Sequence, residues 1–160
     1  MEMLDKHKIS EAIAQIIEAI GENPEREGLL NTPTRIAEMY AELFSGINKD
    51  PSTCFDNSFE ESHKDLVILS NINFSSICEH HFLPFFGKAY ISYIPESKTA
   101  GASKFAECVD ILSKRPQLQE RLTSQIANTI FEAITPKGVE VLLHASHMCM
   151  SIRGVNKIGS

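Results

Sequence analysis

The sequence has no surplus of basic residues: 15 lysines and arginines stand against 21 aspartates and glutamates, a formal charge of -6 at pH 7. That balance argues against a nucleic-acid binder working through a basic surface, although a local basic pocket for a phosphate stays compatible with it. No apolar run reaches membrane-spanning length, and the start of the chain, with Asp5, Lys6 and Lys8 ahead of a short amphipathic stretch, lacks the apolar core of a secretory signal. A soluble, cytoplasmic protein is therefore expected. Internal repeats and low-complexity segments are also missing. Cysteine is sparse, and in a reducing cytosol the four thiols are expected to bind metal or stay free rather than form disulfides. What is present is enough apolar residue, 42% of 160, to bury one core and hardly two.

Periodicity divides that single domain into an N-terminal helical region over 1–47, a linker over 48–64 and a core over 65–160. Ile9, Ile13, Ile16, Ile17 and Ile20 recur at helical spacing, with Gly21 as a C-terminal cap. Thr32-Pro33 reads as N-cap and first helical residue of a second helix whose stripe is Ile36, Met39, Tyr40, Leu43 and Phe44. The stretch from Asn48 to Lys64 is polar and aperiodic, and Cys54 has no assigned role there. Leu66, Ile68, Ile72 and Phe74 alternate with mostly polar neighbours as a strand does, Gly87 to Ile94 forms a second extended run, and Pro95 to Ala100 supplies a turn.

A helix follows from Gly101–Lys104 to about Lys114, burying Phe105, Cys108, Val109 and Leu112, with Cys108 acting as a small hydrophobe. Leu118, Leu122, Ile126 and Ile130 mark the next helix, ended before Pro136. Val139 to Ala145 is β-rich, and Met148 to Val155 is expected to continue extended. Strand, strand, helix, helix, strand, strand implies an α+β fold, an antiparallel four-stranded sheet with two helices on one face plus the N-terminal helical appendage.

The chemistry concentrates in two clusters. Cys78-Glu79-His80-His81 sits at the connection between the first two core strands, where the chain is free to bend a C-x2-H pair toward one ion. His147-Met148-Cys149-Met150 lies almost seventy residues on. On an extended chain His147, Cys149, Ser151 and Arg153 share one face, leaving Met148, Met150 and Ile152 for the core. Cys78, His81 and Cys149 together give a Cys2His set, the three-ligand pattern that leaves zinc a fourth position for water. Zinc lowers the pKa of such a water to about 7. His80 and His147 stand beside it as proton carriers, with unperturbed imidazole pKa values of about 6.5. A four-ligand structural zinc closed by His80 or His147 stays open as an alternative.

These clusters, together with Gly-Ala-Ser-Lys at 101–104, Arg-Pro-Gln-Leu-Gln-Glu-Arg-Leu-Thr at 115–123, Arg-Gly-Val at 153–155 and the Thr-Pro-Thr-Arg-Ile-Ala stretch from Thr32, resemble the type I GTP cyclohydrolases in order and spacing. The resemblance covers nearly the whole chain. It implies conversion of GTP and water to 7,8-dihydroneopterin triphosphate and formate, the entry to folate and other pterins. Cys78, His81 and Cys149 would hold zinc, with its water attacking C8. His147 would donate a proton to the purine, and His80 would assist ring opening and the later ribose steps. Ser103 would lie against the ribose, and Gln119 and Glu120 would read the guanine edge. Lys104, Arg153 and Arg35 would hold the triphosphate; Lys104 at a helix start also has the help of free backbone N–H groups. The fold implied is the tunnelling fold, assembled as a homodecamer of two pentamers.

Two positions where the family pattern carries a basic phosphate contact hold acids, Glu107 and Glu38, and the sequence ends at Ser160 where relatives usually continue. Those departures motivate the alternative of a catalytically impaired zinc-binding homologue with a structural or regulatory role. A sister enzyme of the same fold acting on another purine or pterin ranks last, since its thiol nucleophile is not where this chain has one.

Overall fold

The computed structural model describes residues 4–154. Helix α1 (Lys6–Ala19) opens on Asp5, whose carboxylate accepts from the Lys8 N–H at 2.9 Å. It closes on Gly21 at φ +88°, with the Gly21 N–H bonded to Glu18 and the Glu22 N–H to Ile17, a paired arrangement that satisfies the last free carbonyls. Helix α2 (Thr32–Leu43) starts a residue early: Thr32 is inside it, Asn31 holds the cap position without a side-chain bond, and Pro33 lies in the first turn.

The polar stretch after α2 is more than a linker. A 3-10 helix (Pro51–Phe55), capped by Asp50, carries Cys54 and Phe55 into the main core, and Phe55 meets Phe105 edge-on at 5.3 Å. Two-residue strands β1 (Phe59–Glu60) and β4 (Lys98–Thr99) pair with each other beside it. Two buried residues in a polar window leave no periodic trace, so this packing was invisible to pattern reading.

The main sheet has the order β5-β2-β3-β6, from β2 (Val67–Cys78), β3 (Pro84–Ile94), β5 (Pro116–Gln117) and β6 (Gly138–His147). The three long strands are antiparallel, while β5 runs parallel to β2. Helices α3 (Ala102–Ser113) and α4 (Gln119–Ile134) cover one face, burying Phe105, Cys108, Val109 and Leu112 from α3 and Leu122, Ile126, Ile130 and Ile134 from α4. Leu118, expected to open the α4 stripe, is the extended cap residue ahead of it. Burial pushes the Cys108 thiol up to about 12, in keeping with its expected part as a hydrophobe.

Two expectations fail at the sheet. Leu66, Ile68, Ile72 and Phe74 do not share a face, because the β2–β3 register shifts between Leu69 and Ile72, with Asn71 at φ +60°. Beyond that irregularity Phe74, Ser76 and Cys78 point inward, whereas Leu66 and Ile68 are 56% and 65% exposed. The run from Met148 is not the fourth strand either. β6 ends at the pairing of His147 with Phe85, and the next residue of β3 is Pro84, which has no N–H to extend the ladder. The chain coils instead into the short helix α5 (Met148–Ser151), leaving Met150 and Ile152 exposed rather than in the core. Val155, the end of that expected strand, lies outside the described residues.

The N-terminal helices meet the core where α2 ends. The Gly46 N–H bonds the Lys114 carbonyl at 2.9 Å, and Arg115 donates to the carbonyls of Gly46 at 2.6 Å and Lys49 at 3.2 Å. A Cβ on Gly46 would overlap the Ile111 carbonyl. Gly46→Ala is therefore expected to cost about 1–3 kcal/mol through overpacking, seen as a lower urea midpoint. Gly138→Ala, where a Cβ meets nothing within 4 Å, should leave the midpoint unchanged.

Candidate metal centre

At the end of β2 the chain reverses over Glu79–Leu83. The Cys78 N–H bonds the Leu83 carbonyl and the Phe82 N–H bonds the Cys78 carbonyl, both at 2.9 Å. Phe82 takes φ +53°, a left-handed conformation unusual for a bulky residue, while its ring lies 5.8 Å from that of Phe44 at the end of α2. Strand β5 braces the other side. Cys78 pairs with Gln117, and the Glu79 N–H bonds the Gln117 carbonyl at 3.1 Å. Gln117 is itself buried and donates to the Leu112 carbonyl at 2.9 Å and to Gln125 at 2.7 Å. The expected bend is thus real, and it swings His81 back toward Cys78.

Cys149 arrives from α5, so the strand-face argument that paired it with His147 does not describe its route. Nevertheless the ligand atoms of Cys78, His81 and Cys149 all lie within 4.8 Å of one another. A tetrahedral Cys2His site spaces such donors about 3.5–3.8 Å apart, so closing on an ion takes a contraction of about 1 Å or less. The donor chemistry agrees. Burial, then the neighbouring Cys78 sulfur, pushes the Cys149 thiol up; two thiolates this close repel each other, and a divalent cation between them reverses that penalty. Among the described residues no fourth histidine, cysteine or carboxylate joins the group.

His147 stands at the end of β6, its ring stacked on Phe85 at 4.9 Å and 1°. Its Nε2 is 2.7 Å from Gln119 Oε1, and Gln119 Nε2 donates to the Leu143 carbonyl at 3.0 Å. A carbonyl can only accept, so the amide presents its oxygen to the imidazole, and His147 carries its proton on Nε2. Gln119, expected at the guanine edge, also holds His147 through its amide oxygen. Glu120 next to it leaves its side chain exposed in the first turn of α4.

His80 is exposed, its Nε2 4.0 Å from Glu79 Oε1. Arg153 lies near enough to Cys149 to oppose the rise of its thiol. Ser103 and Lys104 occupy the first turn of α3, and Arg35 lies exposed on α2. No hydrogen bond or ion pair among the described residues joins these three to the Cys2His group. Lys104 Nζ instead binds both carboxylate oxygens of Glu107, at 3.0 and 2.8 Å.

One feature escaped the sequence. Arg121 grips Glu79 through two bonds, Nη1 to Oε2 at 2.6 Å and Nη2 to Oε1 at 3.0 Å, and these hold the Glu79 carboxyl below its usual range. Both residues lie inside the quoted motifs, but nothing in their spacing announces a contact across 42 positions.

A mixed sheet backed by two helices, with a Cys2His group able to hold a metal ion at the ends of its strands, fits an enzyme of the α+β tunnelling-fold class. The sequence model for GTP cyclohydrolase I matches residues 9–160. The chain is 55% identical over 161 residues to the GTP cyclohydrolase 1 of Listeria monocytogenes serotype 4b (strain CLIP80459), covering all of this chain and 85% of that protein. It is 56% identical over 158 residues to that of Streptococcus pyogenes serotype M1, covering 98% and 81%. The chain belongs to the GTP cyclohydrolase I family.

Cys149→Ala is expected to abolish stoichiometric metal retention, whereas His80→Ala should leave it intact. Metal analysis of the purified variants after dialysis distinguishes the two.

Proposed function

We propose that zinc held by Cys78, His81 and Cys149 serves the family's reaction in this chain, in which GTP and water give 7,8-dihydroneopterin triphosphate and formate. The observation that carries this reading is the convergence of exactly three soft donors with no fourth side chain among the described residues. Bound there, zinc supplies Lewis-acid activation of water at the position the side chains leave open.

The chain's own residues do the rest. His147, fixed by Phe85 and by Gln119, relays a proton to the purine during attack at C8, its Nε2–H staying on Gln119 and Nδ1 being the nitrogen that takes up and gives the proton. His80, on the exposed side of the turn, moves protons in ring opening and in the later ribose steps. Glu120 accepts from the guanine ring N–H and amino group; Gln119 at its side keeps His147 in place as well as bordering the base. Ser103 lies against the ribose. Lys104, Arg153 and Arg35 hold the triphosphate, Lys104 with the backbone N–H groups that start α3.

Nothing in the structure favours the alternative of an impaired homologue. Glu107, which motivated it, lies against Lys104 at 2.8 Å and tempers that charge without displacing it. The exposed sheet face around Leu66, Ile68 and Leu142 supports association of copies that would cover it, and the assembly we infer is the decamer of two pentamers implied by the family resemblance. No helix among the described residues is long and apolar enough to cross a membrane. A cytoplasmic enzyme at the head of folate and pterin synthesis is consistent with all of this, with 65–160 as its catalytic core, 1–47 as a helical region braced against it and 48–64 joining the two.

Purified protein given zinc and GTP should release formate and dihydroneopterin triphosphate in equal amounts, lose that turnover to a chelator and regain it with zinc. A zinc-loaded oligomer that makes neither product overturns the reading. Glu120→Ala should lower kcat/KM by about tenfold to a hundredfold, the worth of hydrogen bonds to a charged acceptor, with metal content unchanged. Glu107→Gln should lower the KM for GTP by up to about fivefold, because an exposed ion pair competes only weakly for Lys104. Steady-state kinetics reads both.

A further inference from the structure

We propose that the Glu79–Arg121 ion pair is a clamp that positions the metal-bearing turn against the substrate-reading end of α4. The inference rests on the reading of Cys78, His81 and Cys149 as a metal centre. Glu79 lies between one ligand and the residues His80 and His81; Arg121 directly follows Gln119 and Glu120. One side-chain pair therefore joins the two halves of the site. Its fork-to-fork geometry, at 2.6 and 3.0 Å, fixes direction as well as distance, which a single-point lysine contact does not.

A second tether acts on the same residue. The Glu79 N–H is bonded to the Gln117 carbonyl, so Glu79 is held by its backbone to β5 and by its carboxylate to α4. Gln117 and Arg121 stand on either side of the α4 start, and two anchors on one residue stop the turn from rotating about either. The same carboxylate lies 4.0 Å from His80 Nε2. With Arg121 occupying both oxygens, that imidazole faces a neutralised, immobile neighbour instead of a carboxylate free to swing. Arg121 is thus a positioning residue: it acts on the reaction through Glu79 and the turn.

Surface ion pairs contribute little to global stability, so the clamp's signature is in the site and not in the melting curve. The test uses full-length, zinc-loaded oligomer and three variants: Arg121→Ala, Arg121→Lys and the exchange Glu79→Arg with Arg121→Glu. Arg121→Ala is expected to lower kcat by about tenfold to a hundredfold, the range for slight misplacement of reacting groups, while KM for GTP changes far less. Metal loss to a chelator should quicken by about tenfold or more, as for other changes behind a ligand shell, and the visible spectrum of the cobalt-substituted protein should shift. The melting temperature should stay near that of the wild type. Arg121→Lys, keeping the charge without the fork, should fall between, and the exchange should recover most of the lost kcat.

Wild-type kcat, metal release and cobalt spectrum in Arg121→Ala overturn the clamp. If Arg121→Ala does not fold, Arg121→Lys decides: unchanged kcat and metal release in that variant overturn it equally. A wild-type protein that binds no zinc or cobalt ends the metal reading itself, whereas one that binds metal but is indifferent to Arg121 ends only this inference.

Discussion

Strand register is the constraint on which the site depends. The ladder sets Ile77 opposite Pro84 and Phe85 opposite His147, so the end of β2, the start of β3 and the end of β6 coincide at one edge of the sheet. That coincidence carries Cys78 and Cys149 together although most of the core lies between them in sequence. Because side chains alternate along a strand with a period of two, a slip of one residue in the β2–β3 pairing would turn Cys78 to the opposite face, and one in the β3–β6 pairing would do the same to His147. The irregularity at Asn71 belongs to the same constraint, since it resets the parity of β2 and turns Phe74, Ser76 and Cys78 toward the helices.

Polar groups then hold the edge in place. Ser76 donates to the Ser113 carbonyl at 2.6 Å, Gln117 to Leu112, Gln119 to Leu143 and Arg115 to Gly46. Each of these side chains meets a backbone carbonyl, which accepts in a fixed direction and cannot rearrange as a flexible side chain does. The reactive groups are held from behind in this way, while His80, His81 and Glu120 keep their outer surfaces exposed. Firm backing with an open front is the arrangement that orients a substrate without ordering cost at the moment of reaction.

Pattern reading succeeded where a residue's fate follows from its near neighbours. The isoleucine spacing and Gly21 give α1 and its cap, although of that stripe only Ile17 is buried and Ile16 and Ile20 are exposed, and Phe105, Cys108, Val109 and Leu112 give the buried face of α3. It failed where fate depends on a distant partner. Ile68 obeys the same alternation as Phe74 but faces out, because a shift against β3 intervenes. Met150 and Ile152 look like core residues of a strand, but the ladder that would have made them so ends at Pro84. Cys54 and Phe55 sit in a polar window and are buried by α3, which lies nearly fifty residues away.

The sequence by itself determined the ligand types, the two clusters that carry them, the helices that back the sheet and the family to which the motifs point. These are properties of composition and short-range spacing, which the chain carries whether folded or not. Only the tertiary structure decided that Cys149 reaches Cys78 from a helical turn, that Gln119 holds His147, that Lys104 is paired with Glu107 and that Glu79 meets Arg121. Each of these depends on the relative placement of elements packed together by burial of apolar surface, a force without direction that leaves no signature in the spacing of the polar residues it brings into contact.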